Sequence, residues 1–270
     1  MTAAQKVIKC LAVAFAVFLI VTIFTAAISV LFGIGCIIYY NNEKSDTTSI
    51  CENIRNIKDL DIDTKYTALQ IKISDDNTFK AESNNKHMKC KVTGESVKIE
   101  EKKYGIFSIG RNRELIIYIP ANKNINEVDI NTGAGKVDIE KLKANKLKLD
   151  LGAGSTNIKY IETNNADIET GAGKFTIEDG ILNDLDFDIG AGEANVNARL
   201  LGDSKIEVGV GSLNLNLLGS RELYKLKLEK GIGEVSVDGS LIEDDSTVGN
   251  GNNYIRIEGG IGSIKVNYER

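Results

Sequence analysis

The chain has 270 residues, a formal net charge of −5, one histidine, four cysteines and no tryptophan. That balance gives no basic footprint for nucleic acid, and four cysteines over this length are not a disulfide framework. Lysine greatly outnumbers arginine and asparagine is abundant, a bias that fits an AT-rich bacterial genome.

Residues 1–9 carry Lys6 and Lys9, and no residue from Cys10 to Tyr40 is charged. This run of thirty-one residues exceeds the roughly 20 that a helix needs to cross a bilayer. It predicts a single-pass transmembrane signal anchor over 10–40. No positive excess comes after the run, so the positive-inside rule puts residues 1–9 in the cytoplasm and the rest outside. Tyr39 and Tyr40 fall where interfacial aromatics are expected. A cleaved signal peptide fits less well, because the run continues well past its one small-residue cluster, Ala26-Ala27. A lipoprotein site at Gly33-Ile34-Gly35-Cys36 lacks the leucine expected three residues before the cysteine.

Beyond the anchor, 31 Lys and Arg face 38 Asp and Glu, for a net charge of −7. Residues 41–60 are polar and read as a tether. Alternation of apolar and polar residues returns at Leu69–Ile73, Cys90–Val92, Val97–Ile99 and Leu115–Ile119, and the lone proline, Pro120, ends the last of these. Residues 61–127 are therefore expected to form irregular β rungs that cap the rest of the chain. Cys10 and Cys36 lie in the apolar run. Cys51 and Cys90 lie outside it, and a bridge and two unpaired thiols are both open readings.

Residues 128–270 form a repeat. Gly-x-Gly triplets stand at Gly133-Ala-Gly135, Gly152-Ala-Gly154, Gly171-Ala-Gly173, Gly190-Ala-Gly192 and Gly209-Val-Gly211, nineteen residues apart. Wider spacing brings Gly231-Ile-Gly233 and Gly260-Ile-Gly262. Three residues before each first glycine come Ile130, Leu149, Ile168, Phe187, Ile206, Leu228 and Ile257, and other apolar columns lie two residues away. A two-residue period on both sides of a glycine corner predicts two short strands per repeat, stacked in parallel as a β-solenoid. Seven rungs at strand spacing would make a rod of roughly 30 Å. The glycines would supply positive φ or close approach between rungs. A longer insertion, Glu243–Asn253, reads as a loop on the side of the stack. The end of the stack would be blunted by Asn267, Glu269 and Arg270.

The chemistry is sparse. His87 stands in a polar stretch, and there is no CxxC, HExxH or P-loop pattern. Repeated glycine turns between strands do not make a nucleotide fingerprint. Five residues after each first glycine come Asp138, Asn157, Thr176, Asn195, Asn214, Ser236 and Lys265, which is no calcium code. No catalytic residue and no cofactor is expected. One column stands out: Asn131, then Asp150, Glu169, Asp188, Glu207, Glu229 and Glu258, two residues before each corner. Stacking would bring these carboxylates to strand spacing on a solvent face. Either Lys148, Lys205, Lys227 and Arg256 neutralise them, or the column attracts divalent cations or a basic partner.

The segment from Thr132 to Asp150, TGAGKVDIEKLKANKLKLD, resembles the rungs of the putative-adhesin domain of bacterial cell-envelope proteins, the LiaG-like group. Leu115-Ile-Ile-Tyr-Ile-Pro120 resembles the strand that precedes them. Alanine replaces the usual serine in the corner. The resemblance covers roughly residues 61–270 and implies a β-solenoid outside the membrane with envelope-stress associations and no catalytic residues. The expected function is non-enzymatic: an anchored module for adhesion, ligand binding or an envelope-stress accessory role, with an envelope polymer or membrane protein as partner. The alternative is a polysaccharide-acting parallel β-helix enzyme, against which stand short rungs, absent tryptophan and few arginines.

Overall fold

Apolar and polar residues alternate along most of the chain, and the backbone answers with strands. The computed structural model describes residues 47–102 and 113–269; the expected anchor at 10–40 and the cytoplasmic end fall outside them. Among the described residues no helix is long and apolar enough to cross a membrane.

The first strands are β1 (Thr48–Ile54), β2 (Asp59–Thr64), β3 (Ala68–Ser74), β4 (Phe79–Ser83), β5 (Met88–Thr93), β6 (Ser96–Glu101) and β7 (Glu114–Pro120). Next come the long bent strands and one short one: β8 (Ile125–Ile139), β9 (Leu142–Ile158), β10 (Ile161–Ile177), β11 (Gly180–Asn183), β12 (Leu185–Leu201) and β13 (Asp203–Leu218). The chain closes with β14 (Tyr224–Glu229), β15 (Ile232–Val237), β16 (Ser240–Leu241), β17 (Ser246–Gly249) and β18 (Asn253–Glu269). All eighteen belong to one sheet. β1 lies inside the stretch that the sequence reads as a tether, and Ile57 and Leu60 there are each 1% exposed.

In the middle of the array β8, β9, β10, β12 and β13 stack in parallel. Their partners run Ala134 to Ala153, Ala172, Ala191 and Val210, each step nineteen residues. A third short ladder joins Leu142–Ala144 to Ile161–Thr163 and on to Gly180–Leu182. A rung therefore has three paired sides, where the alternation in sequence predicts two. The short side escapes notice because it holds only three residues before the next bend.

The two ends of the stack do not keep chain order. β18, last in sequence, pairs in parallel with β13 on one side and with β14 and β15 on the other. The terminal rung is thus β14–β15, which corrects the expectation that Asn267, Glu269 and Arg270 blunt an open edge. The Glu243–Asn253 insertion explains the reversal. It is long enough to cross the end of the stack, and on the way Ser246–Gly249 pairs antiparallel with Lys225–Leu228 while β16 pairs antiparallel with β15. The insertion covers a sheet edge that would otherwise invite pairing with another chain.

The opposite end repeats the device. β2 and β3 lie between β8 and the outer pair β6 and β7, although they precede both in sequence. The outer edges of β6 and β7 are covered antiparallel by β5 and β4, and β1 pairs with β4. Cys51 of β1 is disulfide-bonded to Cys90 of β5, Cα atoms 6.1 Å apart, so the bridge reading is the correct one. It closes a 39-residue separation, worth about 4 kcal/mol in the chain-entropy picture.

The core is a set of stacked columns. Ile130, Leu149, Ile168, Phe187, Ile206, Ile257 and Leu228 succeed one another from rung to rung, each 1% exposed or less. Burial of such side chains contributes about 1.5–3 kcal/mol each. Phe187 meets Phe175 of the preceding rung with ring centroids 5.0 Å apart and tilted by 52°, within the favoured range for aromatic pairs.

Candidate functional site

The residue two before each corner alternates with this buried column and so faces solvent. Pairing places Asn131, Asp150, Glu169, Asp188, Glu207, Glu258 and Glu229 side by side in that order, with Glu258 ahead of Glu229. The column also extends past Asn131 to Asp63 and then Glu100. Those two carboxylates were hidden in the sequence because their rungs lack a glycine corner. The signal that marks them is the alternation Leu60-x-Ile62 and Val97-x-Ile99 immediately before each.

Counter-charge is uneven along the column. Arg256 reaches both Glu258, Nε to Oε1 at 2.9 Å, and Glu229, Nη2 to Oε1 at 3.1 Å. Lys205 pairs with Glu207. The other two expected partners turn elsewhere: Lys227 to Asp245, and Lys148 to Asp167 at 4.0 Å. Partial burial pushes the Asp188 carboxyl above its ordinary pKa, and the charges of Glu207 and Asp186 push it the same way against Lys205. Asp188 thus stands among like charges that Lys205 does not fully offset.

A line of single carboxylates is poorly shaped for a metal. Each rung offers one side chain, about 4.8 Å from the next, whereas calcium gathers six to eight oxygens around one point. Among the described residues no three His, Cys, Asp or Glu side chains come together to hold an ion.

The corners run alongside this column as an exposed strip of backbone. At the second glycine of each triplet φ is strongly positive, for example +148° at Gly192 and +142° at Gly211. A Cβ at Gly192 would overlap the Gly173 carbonyl oxygen and come within 2.9 Å of that residue's carbon and nitrogen. Both conformation and contact thus require glycine there. The residue between the glycines is alanine in four rungs and then Val210, Ile261 and Ile232; Val210 is 40% and Ile232 71% exposed. Two shallow recesses lie under the corners. One, of about 20 Å³, is bounded by Leu151, Thr170, Ile189 and Phe175; the other, of about 10 Å³, is bounded by Val208, Val235 and Ile264. Each has room for about one water and neither could enclose a sugar or an acyl chain.

On two other columns asparagines face one another across rungs. Asn214 Nδ2 donates to Asn195 Oδ1 at 2.8 Å, and Asn267 Nδ2 donates to Asn216 Oδ1 at 3.0 Å. The surface thus displays a line of carboxylates on one column and asparagine pairs on two others.

One corner is built differently. Lys65-Tyr66-Thr67 takes the place of a glycine triplet in the β2–β3 rung, and a buried carboxylate serves it. Glu101 Oε2 accepts from the Lys65 N–H at 2.7 Å and the Tyr66 N–H at 3.1 Å. Its other oxygen accepts from Asn85 Nδ2 at 2.9 Å and Arg113 Nη1 at 3.3 Å. Burial raises the Glu101 pKa, but these donors, with the Thr67 hydroxyl, outweigh it and the net shift is downward. His87 sits beside this network. Its N–H donates to Asn85 Oδ1 at 3.1 Å, and its carbonyl accepts from the Lys102 N–H at 3.1 Å.

The family described as Toastrack DUF4097 matches residues 57–257. No curated protein matches the chain. Among solved structures, a "putative adhesin" from Bacteroides fragilis is 13% identical, with 83% of this chain and 98% of that one covered and a TM-score of 0.43. A "putative cell adhesion protein" from Clostridium sporogenes is 15% identical over 84% of this chain and 100% of its own, at a TM-score of 0.35. A "putative lipid binding protein" from Parabacteroides distasonis is 16% identical over 85% and 98%, also at 0.35.

Proposed function

The chain belongs to the Toastrack DUF4097 family, and from that premise we propose a non-catalytic, membrane-anchored module of the bacterial cell envelope. In this reading residues 10–40 hold a single-pass chain in the cell membrane with its N-terminus in the cytoplasm. A β-solenoid of about nineteen-residue rungs with Gly-x-Gly corners stands outside and serves adhesion, ligand binding or an envelope-stress accessory role. The Thr132–Asp150 rung and the Leu115–Pro120 strand favour the LiaG-like group within the family, although four of the corners carry alanine in place of its usual serine.

The observation that carries this proposal is the surface itself. One exposed column carries a carboxylate at every rung from Asp150 to Glu229, and the recesses beneath the corners hold about one water each. Such a surface suits an extended polymer or a protein face whose contacts recur, and it does not suit an enclosed small molecule. The Cys51–Cys90 disulfide supports an oxidising location outside the cytoplasm. The net charge of −7 beyond the anchor disfavours nucleic acid as a partner.

The test is binding of the full chain, held in nanodiscs, to isolated cell-wall polymer by co-sedimentation. We expect saturable binding that falls when Asp150→Asn, Glu169→Gln and Asp188→Asn are combined. Sedimentation no greater than that of an unrelated anchored protein would contradict a polymer partner.

A further inference from the structure

The two ends of the stack are capped by the same kind of antiparallel cover but carry opposite charge. The cover at the C-terminal rung, residues 238–253, contains Asp238, Glu243, Asp244 and Asp245 and no lysine or arginine. At the other end, Asn84 to Gly94 contains Lys86, His87, Lys89 and Lys91 and no acid. Lys86, Lys89 and Lys91 are exposed on β5 and the turn before it. The backbone N–H of Lys102 donates to the His87 carbonyl, which holds residue 102 beside this turn. Partial burial lowers the His87 pKa, and the charges of Arg113, Lys86 and Lys89 lower it further against Glu101. Of the acids at this end, Glu101 is buried among its donors, Glu100 stands opposite Lys89, Glu82 is bridged to Lys80 and Glu95 to Lys58, which leaves Glu52 of β1 exposed.

The entry of the chain coincides with this basic end. Thr48, at the start of β1, pairs with Ser83, and its hydroxyl donates to the Ser83 carbonyl at 3.3 Å. The turn from Ser83 to His87 is fixed by Asn85, which accepts from the His87 N–H and donates to Glu101. Only residues 41–46 separate the apolar run from the described chain. However they are arranged, six residues span at most about 20 Å. A bilayer that holds residues 10–40 therefore keeps the basic end near its surface.

We propose that this basic cap, centred on Lys86, Lys89 and Lys91, rests on the anionic headgroups of the same bilayer leaflet, so that the rod stands with its acidic end outward. The inference depends on the anchor reading proposed for residues 10–40. Two lysines on the cover strand and one in the turn before it supply the attraction, which is strong within a Debye length of an anionic surface. The acidic cover at the far end is repelled from that surface, so the charge asymmetry sets an orientation that a tether alone would leave open.

The experiment uses the full chain reconstituted in vesicles of phosphatidylcholine alone, or of phosphatidylcholine and phosphatidylglycerol in equal parts. A membrane-impermeant amine reagent reports each lysine's reactivity by mass spectrometry, with Lys225 and Lys230 at the far end as internal references. On anionic vesicles we expect reactivity at Lys86, Lys89, Lys91 and Lys102 to fall roughly fivefold, the shift that one lysine's attraction to an anionic leaflet produces. High salt should abolish the fall, and so should the combined K86Q, K89Q and K91Q variant, read at Lys102. If the chain stays with both kinds of vesicle through carbonate washing but the four lysines react equally on both, the anchor stands and the docking surface is refuted. If the chain is washed from neutral vesicles, the anchor fails and this inference fails with it. If inorganic polyphosphate added to neutral vesicles protects the lysines and phosphatidylglycerol does not, the cap binds a soluble polyanion and the lipid assignment is overturned.

Discussion

Replacing Gly192 by alanine probes the contact on which the rung stack depends. Residue 192 has φ +148°, and its added Cβ would overlap the Gly173 carbonyl oxygen. A backbone conformation reserved for glycine costs about 1–3 kcal/mol for another residue. Relieving the overlap requires the two rungs to separate at the corner, where Ala172, Gly173 and Lys174 pair with Ala191, Gly192 and Glu193. Loss of about two backbone hydrogen bonds there adds about 2 kcal/mol, before any packing is lost. The expected total is about 3–6 kcal/mol. Gly239→Ala is the control, because φ there is +75° but nothing lies within 4 Å of the added Cβ; its cost should be about 1 kcal/mol. Urea unfolding of the full chain in detergent, monitored by circular dichroism, would read the difference as a midpoint lower by roughly 1–3 M for Gly192→Ala. Because each rung contacts only its neighbours, amide exchange should rise first in β10 and β12. Equal midpoints for the two variants would refute the corner-to-corner contact.

The inward register predicts that Phe187→Asp, which puts a charge at a site 1% exposed, abolishes cooperative melting, while Asp186→Ala on the outer face melts within about 0.5 kcal/mol of the parent; equal tolerance would mean that the two faces are exchanged. Glu101→Gln should destabilise the N-terminal rungs by about 2–3 kcal/mol at neutral pH, through the charge-assisted bonds lost. The folded pKa of Glu101 is depressed, so its stabilisation is present above the unfolded value of about 4.3 and is lost as pH falls through the folded value. Melting of parent and variant should therefore converge in acid, and a gap that persists there would contradict the assignment. Asp188→Asn combined with Glu207→Gln should slightly raise the melting temperature, with calcium adding no more than sodium at matched ionic strength; a calcium-specific rise lost in this variant would make the column an ion site.

The inward columns and the acidic line were legible in the sequence because strand alternation repeats at a fixed interval, and every rung of the array carries the same marker glycines. What stayed hidden was the order of the rungs. A buried leucine or isoleucine looks the same whichever neighbour it meets, so nothing in Leu228 or Ile257 says that the second lies nearer to Ile206. Asp63 and Glu100 escaped for a related reason: without a glycine triplet to align on, their rungs have no visible origin. Glu101 could not be distinguished from an exposed acid beside it, since the donors that bury it come from Lys65, Tyr66, Asn85 and Arg113, all distant in sequence. The insertion at Glu243–Asn253 reads as a side loop because its polar composition carries no sign that Ser246–Gly249 lies along a strand edge.

The proposed placement of the array outside an uncleaved anchor is tested most directly by labelling intact protoplasts that produce the full chain with a membrane-impermeant amine reagent. Array lysines such as Lys146, Lys174 and Lys225 should be modified on intact protoplasts, Lys6 and Lys9 only after lysis, and all of them should be recovered in one membrane-bound chain. Array lysines that react only after lysis, or a released chain lacking residues 1–40, would contradict that placement.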